Sequence, residues 1–351
     1  MLSKQQKLRW GILGCGRIAN DFVMGLHLVA AARVVACASR SLEAAQAFGR
    51  MHDIPTCYES YEALCCDPNV DVIYVGTLHT LHYPHTLLAL RHNKHVLVEK
   101  PMSMNQREAE EMIALAREKN LFLMEAMWTR FFPAVRQVRA LLRDGVLGAV
   151  HAVKADMGFA FPANADRIWK RSLGGGGLLD IGIYPLAFVS MVFEGEEPEN
   201  VHTVGATSAD EGVDTYAVVT LQYSKNRFGT IQYSCLADFV EEVVIVGEKG
   251  TLRINAPAHV ADRITLSLHG QPSQEMHFPH PAPAPSKSSF NFGGSVGFMY
   301  EGEAVTQCIL NNERECSEYA LSESLLLSRV MDSARKSLGV VYEADQPRSS
   351  L

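Results

Sequence analysis

Short apolar runs alternate with amphipathic stretches through the first third of the chain. Five runs of mainly aliphatic residues have the length of buried strands, and the segments between them carry apolar residues three or four positions apart. This alternation predicts a parallel sheet with helices on both faces. The predicted strands cover residues 9–13, 33–38, 71–75, 95–98 and 121–124, and the predicted helices cover residues 41–52, 84–92 and 105–119.

The pattern changes after residue 133. Period-two segments joined by polar turns predict a large, open, mainly antiparallel sheet. Its predicted strands cover residues 149–157, 200–206, 215–223, 227–235, 242–247 and 251–254, and helices are predicted over residues 133–143, 174–193, 297–311 and 321–338. A chain of 351 residues is long enough for two domains. We therefore expect an α/β domain over residues 1–127 and an α+β domain, with helices flanking its sheet, over residues 128–351.

A glycine-rich turn follows the first predicted strand. Gly14-Cys15-Gly16-Arg17-Ile18-Ala19 fits the G-x-G-x-x-A form of the dinucleotide fingerprint. Gly14 permits the tight turn, Gly16 lets the backbone approach a pyrophosphate, and Ala19 lets the next helix lie near the strand. The strand before the motif and the second strand after it favour this interpretation over a glycine-rich turn of another kind of α/β protein. We predict a doubly wound Rossmann domain with cofactor contacts at Gly14, Cys15, Gly16, Arg17 and Ile18.

The residues after the second predicted strand bear on the choice of cofactor. Enzymes that prefer NAD place an acidic residue there to hold the ribose 2′-hydroxyl, whereas this chain has Ser39-Arg40-Ser41. Neutral and basic side chains suit a 2′-phosphate, so Ser39 and Arg40 predict NADP(H). The alternative is that Arg40 is a solvated loop cation.

Composition and charge exclude several classes of function. The chain is 47% hydrophobic and 20% charged with a formal net charge of −7, which gives no electrostatic reason to expect nucleic acid or an anionic membrane as partner. Eight cysteines without a C-x-x-C pair predict free thiols in a reducing compartment. The N-terminus lacks the apolar core of a signal peptide, and the apolar helical stretch at residues 184–193 is too short to span a membrane. We expect a cytoplasmic protein.

A buried strand ends in a charged pair and a proline. In His95-Val96-Leu97-Val98-Glu99-Lys100-Pro101, Lys100 lies beyond the carboxyl end of a predicted strand, where parallel sheets bind ligands. A solvated strand-end lysine is the structural alternative. Together with the glycine fingerprint, the segment resembles the Gfo/Idh/MocA oxidoreductase family, whose E-K-P motif ends the corresponding strand. The resemblance implies an NADP-binding first domain and a second domain for substrate binding and dimerisation.

A second constellation begins with four glycines at residues 174–177. In the following segment, LLDIGIY, Asp180 and Tyr184 are four positions apart and project from one face of a helix. The family commonly has D-x-G-x-H here, with the histidine as acid/base, and this chain has Tyr184 at that position. This departure, with MEAMWTRFFP at residues 124–133, resembles a subgroup, the dimeric dihydrodiol dehydrogenases and NADP-dependent D-xylose 1-dehydrogenases. The resemblance covers nearly the whole chain and is weakest at residues 255–289.

Oxidation of a carbinol needs a base for the hydroxyl proton. Tyrosine, with a usual pKa of about 10, is a poor base until a cation stabilises the phenolate, as Lys100 could do for Tyr184. No tyrosine here has a lysine four positions later, so the pair must form across the two predicted domains. Asp180 would orient a substrate hydroxyl. The alternative for Tyr184 is a helix tyrosine whose hydroxyl satisfies the core.

Other residues near the predicted ligand edge complete the candidate set. His79, His82 and His85 do not share one helix face and lack an accompanying cysteine or carboxylate, so no metal site is expected. Trp128 is either a pocket wall or a core residue. The remaining cofactor contacts are predicted at Thr77, His79, His82, Glu99 and Lys100, and the substrate pocket is predicted at Trp128, Arg130, Phe131, Asp180 and Tyr184.

These patterns and the resemblance predict an NADP-dependent dehydrogenase acting on a cyclic diol or an aldose, with Lys100 and Tyr184 as the acid/base pair. One alternative is an inositol or other polyol dehydrogenase of the same family, which the absence of histidine at position 184 disfavours. Another is a non-catalytic NADP(H)-binding sensor, which would have lost Lys100, Asp180 and Tyr184. Sequence does not rank aldoses against dihydrodiols, because that choice lies in the shape of the pocket.

A homodimer through the second sheet is also expected. An open antiparallel sheet has two faces, and local helices readily cover one of them. The apolar region of Val218, Leu221 and Ile231 would otherwise be exposed to water. The family resemblance implies the same assembly.

Overall fold

The computed structural model describes residues 7–284 and 286–347, which pack as two compact units. The first unit comprises the chain up to Met102, Glu108–Phe131 and His280–Leu321, and the second comprises Ser103–Arg107, Phe132–Pro279 and the chain from Ser322. The predicted boundary after residue 127 lies close to Phe131, but the predicted second domain differs from the second unit because His280–Leu321 packs with the first. Residues 1–6, 285 and 348–351 of the predicted domains lie outside the described residues.

Strands and helices follow one another as listed here in chain order. The strands are β1 (Leu8–Leu13), β2 (Ala32–Ala38), β3 (Thr56–Tyr58), β4 (Val72–Val75), β5 (His95–Glu99), β6 (Leu123–Ala126), β7 (Val150–Gly158), β8 (Asn200–Thr207), β9 (Asp214–Tyr223), β10 (Arg227–Ser234), β11 (Val243–Gly247), β12 (Gly250–Ile254), β13 (Arg263–Leu268) and β14 (Gln274–His277). The helices are α1 (Arg17–Leu26), α2 (Leu42–His52), α3 (Tyr61–Cys66), α4 (His79–Arg91), α5 (Gln106–Glu118), α6 (Pro133–Arg143), α7 (Asp166–Trp169), α8 (Ile183–Val192), α9 (Phe298–Leu310) and α10 (Leu321–Leu338).

The first unit contains a six-stranded parallel sheet in the order β3-β2-β1-β4-β5-β6. The order reverses direction between β1 and β4, so the carboxyl ends of these two strands form the crevice in which such sheets bind ligands. The doubly wound prediction is confirmed. The short β3 and α3 were not predicted, because three half-buried strand residues carry little periodicity.

Phe22 of α1 contacts three other aromatic rings in the core of the first unit. Its ring stacks on Tyr74 of β4 with the centroids 4.0 Å apart, and it contacts Trp10 of β1 at 5.4 Å. Phe298, at the start of α9, meets Phe22 edge-on at 5.9 Å. This contact explains why a helix from the C-terminal part of the chain packs with the first unit. An amphipathic pattern predicts a helix, but it does not show which core receives the apolar face.

The second unit contains an eight-stranded sheet in the order β14-β13-β12-β11-β7-β10-β9-β8. Every neighbouring pair is antiparallel except β7 and β10, which run parallel. The prediction of a mainly antiparallel sheet is confirmed. β13 and β14 extend it into residues 255–289, where no strand was predicted.

α8 is buried along its whole length and packs on β7 and β10. Among the described residues, one helical stretch, Arg171–Val192, is long and apolar enough to cross a membrane, with a hydropathy of 1.5, and its apolar window is completely buried. The sequence analysis expected an apolar helical stretch over residues 184–193 only. That length was too short, because helical turns before α8 extend the stretch. The core helix of a globular unit has the same length and composition, so this stretch is weak evidence for a membrane.

Two of the three residues on which the dimer argument rested are buried by the unit itself. Leu221 pairs with Gly229 and Val219 with Ile231 across β9 and β10, so all four lie on the face that α8 covers. Leu221 and Ile231 are fully buried, and only Val218 lies on the opposite, outer face. The predicted exposure of Leu221 and Ile231 is therefore wrong, because the sequence did not settle which alternate residues of these strands point inward.

Three of the four glycines before α8 are required by packing within the second unit. A Cβ on Gly175 would lie 2.5 Å from the carbonyl oxygen of Ile168, and one on Gly177 would lie 2.7 Å from the ring of Tyr233. Gly176 has a φ of +122°, and its Cβ would lie 2.4 Å from a carboxylate oxygen of Asp214. The other Asp214 oxygen accepts the N–H of Leu178 at 2.6 Å. The glycines thus let this segment pack closely within the second unit, whereas the sequence analysis expected a ligand to approach their backbone.

We expect Gly176→Ala to lower the free energy of unfolding by about 2–4 kcal/mol, because it combines a strained φ with a clash against the Asp214 carboxylate. Gly195→Ala is the matched control, since Gly195 has a φ of +72° with open space around it, and about 1 kcal/mol is expected from its backbone strain alone. Urea unfolding of both variants measures the difference. Equal losses would show that the contact with Asp214 is not the constraint.

Candidate active site

The turn after β1 has the geometry of a phosphate cradle. Gly14 has a φ of +97°, and a Cβ there would lie 2.9 Å from the carbonyl oxygen of Gly76. Gly16 is exposed, has open space where a Cβ would be, and begins α1 without a side-chain cap. The first N–H groups of such a helix attract anions. The residues present therefore fit the pyrophosphate of a dinucleotide.

A segment from the C-terminal part of the chain lies against α1 beside this turn. Asp21 accepts the backbone N–H groups of Asn291 at 2.8 Å and Phe292 at 3.0 Å. The guanidinium of Arg17 lies 4.9 Å from the ring centroid of Phe292. Sequence analysis missed Asp21, Asn291 and Phe292, because only the tertiary structure brings them to the fingerprint.

The residues that follow β2 offer no carboxylate to a ribose. Ser39 is half-buried and donates its N–H to the carbonyl of Tyr58 at 3.2 Å, and Arg40 is exposed. The hydroxyl of Ser41 caps α2 by accepting the N–H of Ala44 at 3.2 Å. This is the environment that the NADP prediction assumed, with a cation and a hydroxyl near the strand end.

His82 is a buried link between two of the predicted cofactor segments. Nδ1 lies 2.7 Å from the carbonyl oxygen of Pro101, and Nε2 lies 3.0 Å from that of Thr77. Burial lowers the pKa of His82 to about 4, so the imidazole is neutral at pH 7 and donates to one carbonyl at a time. His82 therefore holds the turn after β5 beside the loop after β4 and is poorly suited to act as a catalytic base.

The other two histidines lie on the same helix. α4 begins at His79, earlier than predicted, and includes Pro84 in its interior. The ring of His79 is 5.8 Å from that of His82, and Nδ1 of His85 lies 3.1 Å from the hydroxyl oxygen of Thr77. No group of three or more histidine, cysteine or acidic residues in the described part of the chain is arranged to hold a metal ion.

Glu99 lies under the backbone of Lys100. Its Oε1 accepts the hydroxyl of Tyr74 at 2.7 Å, and its Oε2 accepts the N–H of Lys100 at 3.2 Å. Burial raises the pKa of Glu99 to about 6. Glu99 therefore holds the backbone of Lys100 in place and is a positioning residue for Lys100.

Glu125 holds the other end of the same turn. Its Oε1 accepts the N–H of Met102 at 2.7 Å, and its Oε2 accepts the hydroxyl of Tyr319 at 2.8 Å. Glu125 lies within β6, because that strand runs two residues further than predicted, and it is buried. The sequence placed Glu125 at the ligand edge without a role, and no local signal pointed to Tyr319.

A third buried carboxyl group, Glu301 of α9, belongs to the same interior. It is fully buried, and neither of its oxygens has a hydrogen-bond partner among the described residues. Burial, followed by the negative charges of Glu99 and other acidic groups, raises the pKa of Glu301 well above its usual value. The raised pKa favours the neutral form of Glu301, which shares this interior with the hydrogen-bonded Glu99 and Glu125.

The segment predicted to wall the substrate pocket is tightly packed in the first unit. Trp128 stacks on Phe298 with the centroids 4.3 Å apart. The guanidinium of Arg130 lies 5.3 Å from the ring centroid of Tyr319 and contacts the carbonyl of Glu318 at 3.4 Å. Phe131 is fully buried. Trp128, Arg130 and Phe131 thus have a packing role, and their predicted contact with substrate stays a prediction.

Asp180 lies in a π-helical turn, and Tyr184 lies at the start of the α-helix that follows it. Leu178–Gly182 forms one π-helical turn and α8 begins at Ile183; such turns are frequent at functional sites. Asp180 is buried and accepts a charge-assisted hydrogen bond from Arg167, with Nη1 and Oδ1 2.5 Å apart. Tyr184 is buried one helical turn later. Sequence analysis missed Arg167, which neutralises the buried Asp180 carboxylate.

A histidine that sequence analysis did not consider lies beside Tyr184. The ring centroids of His259 and Tyr184 are 6.0 Å apart. His259 is half-buried, and its Nδ1 lies 2.7 Å from Oε2 of the buried Glu241. His259 falls in the segment where no strand or motif was recognised, so no sequence signal identified it.

Two family models match this chain. The model described as oxidoreductase family, NAD-binding Rossmann fold, matches residues 8–127, and the GFO/IDH/MocA C-terminal domain matches residues 135–253. The chain belongs to the Gfo/Idh/MocA oxidoreductase family. The predicted family and enzyme class are confirmed, and the first match coincides with the sheet that carries the phosphate cradle.

Curated relatives in this family are similar over nearly their whole length. The chain is 43% identical over 340 residues to trans-1,2-dihydrobenzene-1,2-diol dehydrogenase of Danio rerio, with 96% of this chain and 99% of that protein covered. It is 38% identical over 341 residues to the Homo sapiens protein of the same name, with 97% and 99% covered.

Solved structures of the family share the architecture. A 3-ketoreductase from Actinomadura kijaniata, in complex with NADP, has a TM-score of 0.82 at 26% identity, with 95% of this chain and 98% of that chain covered. An aldose-aldose oxidoreductase from Caulobacter crescentus, complexed with glycerol, has a TM-score of 0.82 at 28% identity with the same coverage. The predicted fold class and the NADP(H) cofactor are confirmed.

Glu301→Gln should make the stability less dependent on pH. Because its pKa is raised, folded Glu301 keeps its proton where the unfolded chain loses it, so its contribution is full below the usual carboxyl pKa and is lost as the pH rises through the raised value. Glutamine has no proton to lose, and we expect it to raise the free energy of unfolding at pH 8 by about 1–3 kcal/mol. Urea unfolding at pH 5 and pH 8 measures this.

Glu303→Gln, which changes a less buried carboxylate of the same helix, is the control and should leave the pH dependence unchanged. If Glu301→Gln and wild type lose equal stability between pH 5 and pH 8, the buried carboxyl is not protonated in the folded protein.

Proposed function

We propose that this protein is an NADP-dependent dehydrogenase that transfers a hydride between the nicotinamide and a carbinol carbon of a cyclic diol or an aldose. The observation that carries the proposal is a phosphate cradle at Gly14 and Gly16, without an acidic residue after β2, in a chain that keeps Lys100, Asp180 and Tyr184. The names of the relatives support dihydrodiols, and the aldose-aldose oxidoreductase supports aldoses.

Tyr184 is proposed as the group that removes the hydroxyl proton when the carbinol is oxidised. Bound NADP supplies the hydride acceptor. Lys100 is proposed as the cation that stabilises the tyrosine phenolate, and the Glu99 and Glu125 carboxylates hold the backbone turn on which Lys100 lies. Asp180, neutralised by Arg167, is proposed to orient a second hydroxyl of the substrate.

The family neighbours also support the choice of Lys100 and Tyr184. Structures of the Actinomadura kijaniata ketoreductase include one variant in which a lysine is replaced and one in which a tyrosine is replaced. Those two residues are the same number of positions apart as Lys100 and Tyr184 in this chain. We infer that the two pairs correspond.

Two alternatives make different predictions. An inositol or other polyol dehydrogenase of the family would oxidise inositols at least as fast as pentoses or dihydrodiols. A non-catalytic sensor would bind NADPH and reduce no NADP⁺ with any substrate. A screen of NADP⁺ reduction over pentoses, hexoses, inositols and trans-dihydrodiols separates these outcomes.

We further propose a homodimer through the outer face of the second sheet, in a cytoplasmic protein. That face carries a groove of about 710 Å³ lined by Lys154, Asp156, Gln232, Phe239, Val240 and Val244. Homodimer interfaces have an apolar centre within a polar rim, and the apolar side chains of this groove lie among charged ones in the same way. The apolar residues that support this are Phe239, Val240 and Val244, in place of the buried Leu221 and Ile231.

Sedimentation should give twice the chain mass of 38.7 kDa for wild type at micromolar concentration. Val240→Asp puts a charge on a residue that is 65% exposed in the single chain, and we expect it to shift the protein to monomer because that charge would be buried unpaired. Val341→Asp, at a residue that is 48% exposed and does not line this groove, should remain dimeric. A monomeric wild type would contradict the assembly.

Ser39→Asp should reverse the cofactor preference. A carboxylate there repels the 2′-phosphate of NADP and can accept the ribose 2′-hydroxyl of NAD, so we expect kcat/KM to favour NAD by about tenfold or more. Ser273→Asp, the same charge change at an exposed residue, is the control. A wild type with equal kcat/KM for the two cofactors would show that Ser39 and Arg40 do not select NADP.

Tyr184→Phe should lower kcat by roughly 10²- to 10⁴-fold while NADPH affinity hardly changes, because it removes the proton acceptor and keeps the ring. Lys100→Met should lower kcat at neutral pH. Since both residues act on one proton, the double variant should be little slower than the slower single variant. Tyr216→Phe, at an exposed tyrosine of β9, is the control. Additive losses would mean that Lys100 and Tyr184 act independently.

A further inference from the structure

Three cysteine thiols lie together beside the phosphate cradle. Cys15 lies in the turn between Gly14 and Gly16, Cys37 lies near the end of β2, and Cys57 lies within β3. Cys37 and Cys57 are paired residues of neighbouring parallel strands, and their Sγ atoms are 3.8 Å apart. All three are free thiols. Their separation along the chain matches no cysteine motif, so no sequence pattern indicated this cluster.

Cys15 connects the glycine turn to β2. Its thiol donates to the carbonyl oxygen of Ala38, with Sγ and O 3.4 Å apart, and the same carbonyl accepts the N–H of Gly14 at 3.0 Å. A hydrogen bond with the Cys15 thiol, followed by burial, raises the pKa of Cys37. Cys37 therefore contacts a second thiol on either side, Cys15 in the cradle and Cys57 on β3.

The three thiols differ in their access to solvent. Cys37 is buried, whereas Cys15 and Cys57 are half-buried. Burial raises the pKa of Cys57 to about 11, and its Sγ lies so close to α2 that a Cβ on Gly49 would be 2.4 Å away. Thiols react with peroxides as thiolates, which disfavours Cys57 at neutral pH. We therefore expect a peroxide to react first at Cys15, which adjoins the exposed Gly16.

An accessible thiol beside a second thiol is oxidised to a disulfide in two steps. Hydrogen peroxide transfers one oxygen atom to the sulfur of Cys15, which gives a sulfenic acid and one water. The sulfur of Cys37 then attacks the sulfur of Cys15, and the sulfenic hydroxyl leaves with the Cys37 proton as a second water. The two thiols together lose two electrons, and the peroxide gains them.

A disulfide between Cys15 and Cys37 would change the cradle. β2 is hydrogen-bonded to β1 on one side and to β3 on the other, so the turn is the part that moves. Cys15 loses the proton that it donates to Ala38, and Gly14 already packs against the carbonyl of Gly76. Movement of the turn redirects the N–H groups that begin α1, which weakens their contact with a pyrophosphate. Conversely, a dinucleotide bound in the cradle covers Cys15.

We propose that Cys15 and Cys37 form a modification site, at which hydrogen peroxide produces a disulfide that weakens NADP(H) binding and at which bound NADP(H) protects the thiols. The inference goes beyond the proposed function, because it concerns control of the cofactor cradle and makes no use of the substrate.

The first test locates the disulfide in the full-length protein after treatment with hydrogen peroxide. Cys15 and Cys37 fall in separate tryptic peptides, residues 10–17 and 34–40, and neither peptide has a second cysteine. We expect mass spectrometry under non-reducing conditions to find these two peptides linked, and dithiothreitol to separate them. NADPH at ten times its Kd or more should slow the linkage by about tenfold or more, because it occupies the cradle.

The second test measures NADPH affinity by fluorescence after catalase has removed the peroxide. The Kd of oxidised wild type should be higher than that of the reduced protein by about tenfold or more, and dithiothreitol should restore it. In Cys15→Ser, peroxide should change the Kd by less than about twofold. Cys37→Ala should form no link and keep a sulfenic acid at Cys15 that dimedone traps. Cys66→Ser, at an exposed cysteine, is the control and should behave as wild type.

Three results would overturn the inference: no link between the two peptides, a link from residues 34–40 to residues 51–91, which contain Cys57, or a linked protein with unchanged NADPH affinity. A wild type that binds NADPH and forms the link but oxidises no carbinol would overturn the proposed function and leave this inference standing. If Cys37→Ala does not fold, wild type and Cys15→Ser still decide, because an equal loss of NADPH affinity in both contradicts the proposal.

Discussion

The turn from Glu99 to Met102 depends on two buried carboxylates that accept hydrogen bonds from its backbone. Glu99 accepts a hydrogen bond from the N–H of Lys100, and Glu125 accepts one from the N–H of Met102. Each carboxylate also accepts a hydrogen bond from a tyrosine hydroxyl. A buried carboxyl group is stable in its charged form only when such donors surround it. The constraint is therefore mutual, because the carboxylates hold the turn in place and the N–H groups of the turn supply the hydrogen bonds that the buried carboxylates require. It fixes the backbone of the residue that the proposed mechanism uses as its cation.

The second unit positions Tyr184 in a similar way. Asp180 is neutralised by Arg167, His259 is oriented by Glu241, and Asp214 accepts the N–H of Leu178 behind the glycine segment. The carboxylates of Asp180, Glu241 and Asp214 are buried, and each has a hydrogen-bond partner. Partners that are already in place reduce the ordering of polar groups that substrate binding would require.

The sequence predicted the local structure far better than the long-range contacts. All five predicted strands of the first sheet are present, because buried parallel strands are continuous apolar runs. The fingerprint at Gly14 also lies where the pattern placed it. In contrast, the partner of Glu125 is Tyr319 and the partner of Asp21 is Asn291. Their separation along the chain left no periodic signal to find.

Two errors concern which face of an element is buried. Leu221 and Ile231 were expected on an exposed face, and α8 covers them. Strand periodicity shows that alternate residues share a face, but the register and the position of the covering helix decide which face is inside. His259 was missed for a related reason. A single histidine in a segment without periodicity carries no signal until a carboxylate and a tyrosine are placed beside it.

The central claim is that this chain moves a hydride from a carbinol carbon to NADP⁺. It is tested most directly with D-xylose deuterated at C1, followed by mass spectrometry of the reduced nucleotide. The account predicts NADPH that carries one deuterium, formed at a rate that falls sharply when Tyr184 is replaced by phenylalanine. Reduced nucleotide without deuterium, or no reduction of NADP⁺ by D-xylose or by a correspondingly deuterated dihydrodiol, would contradict it.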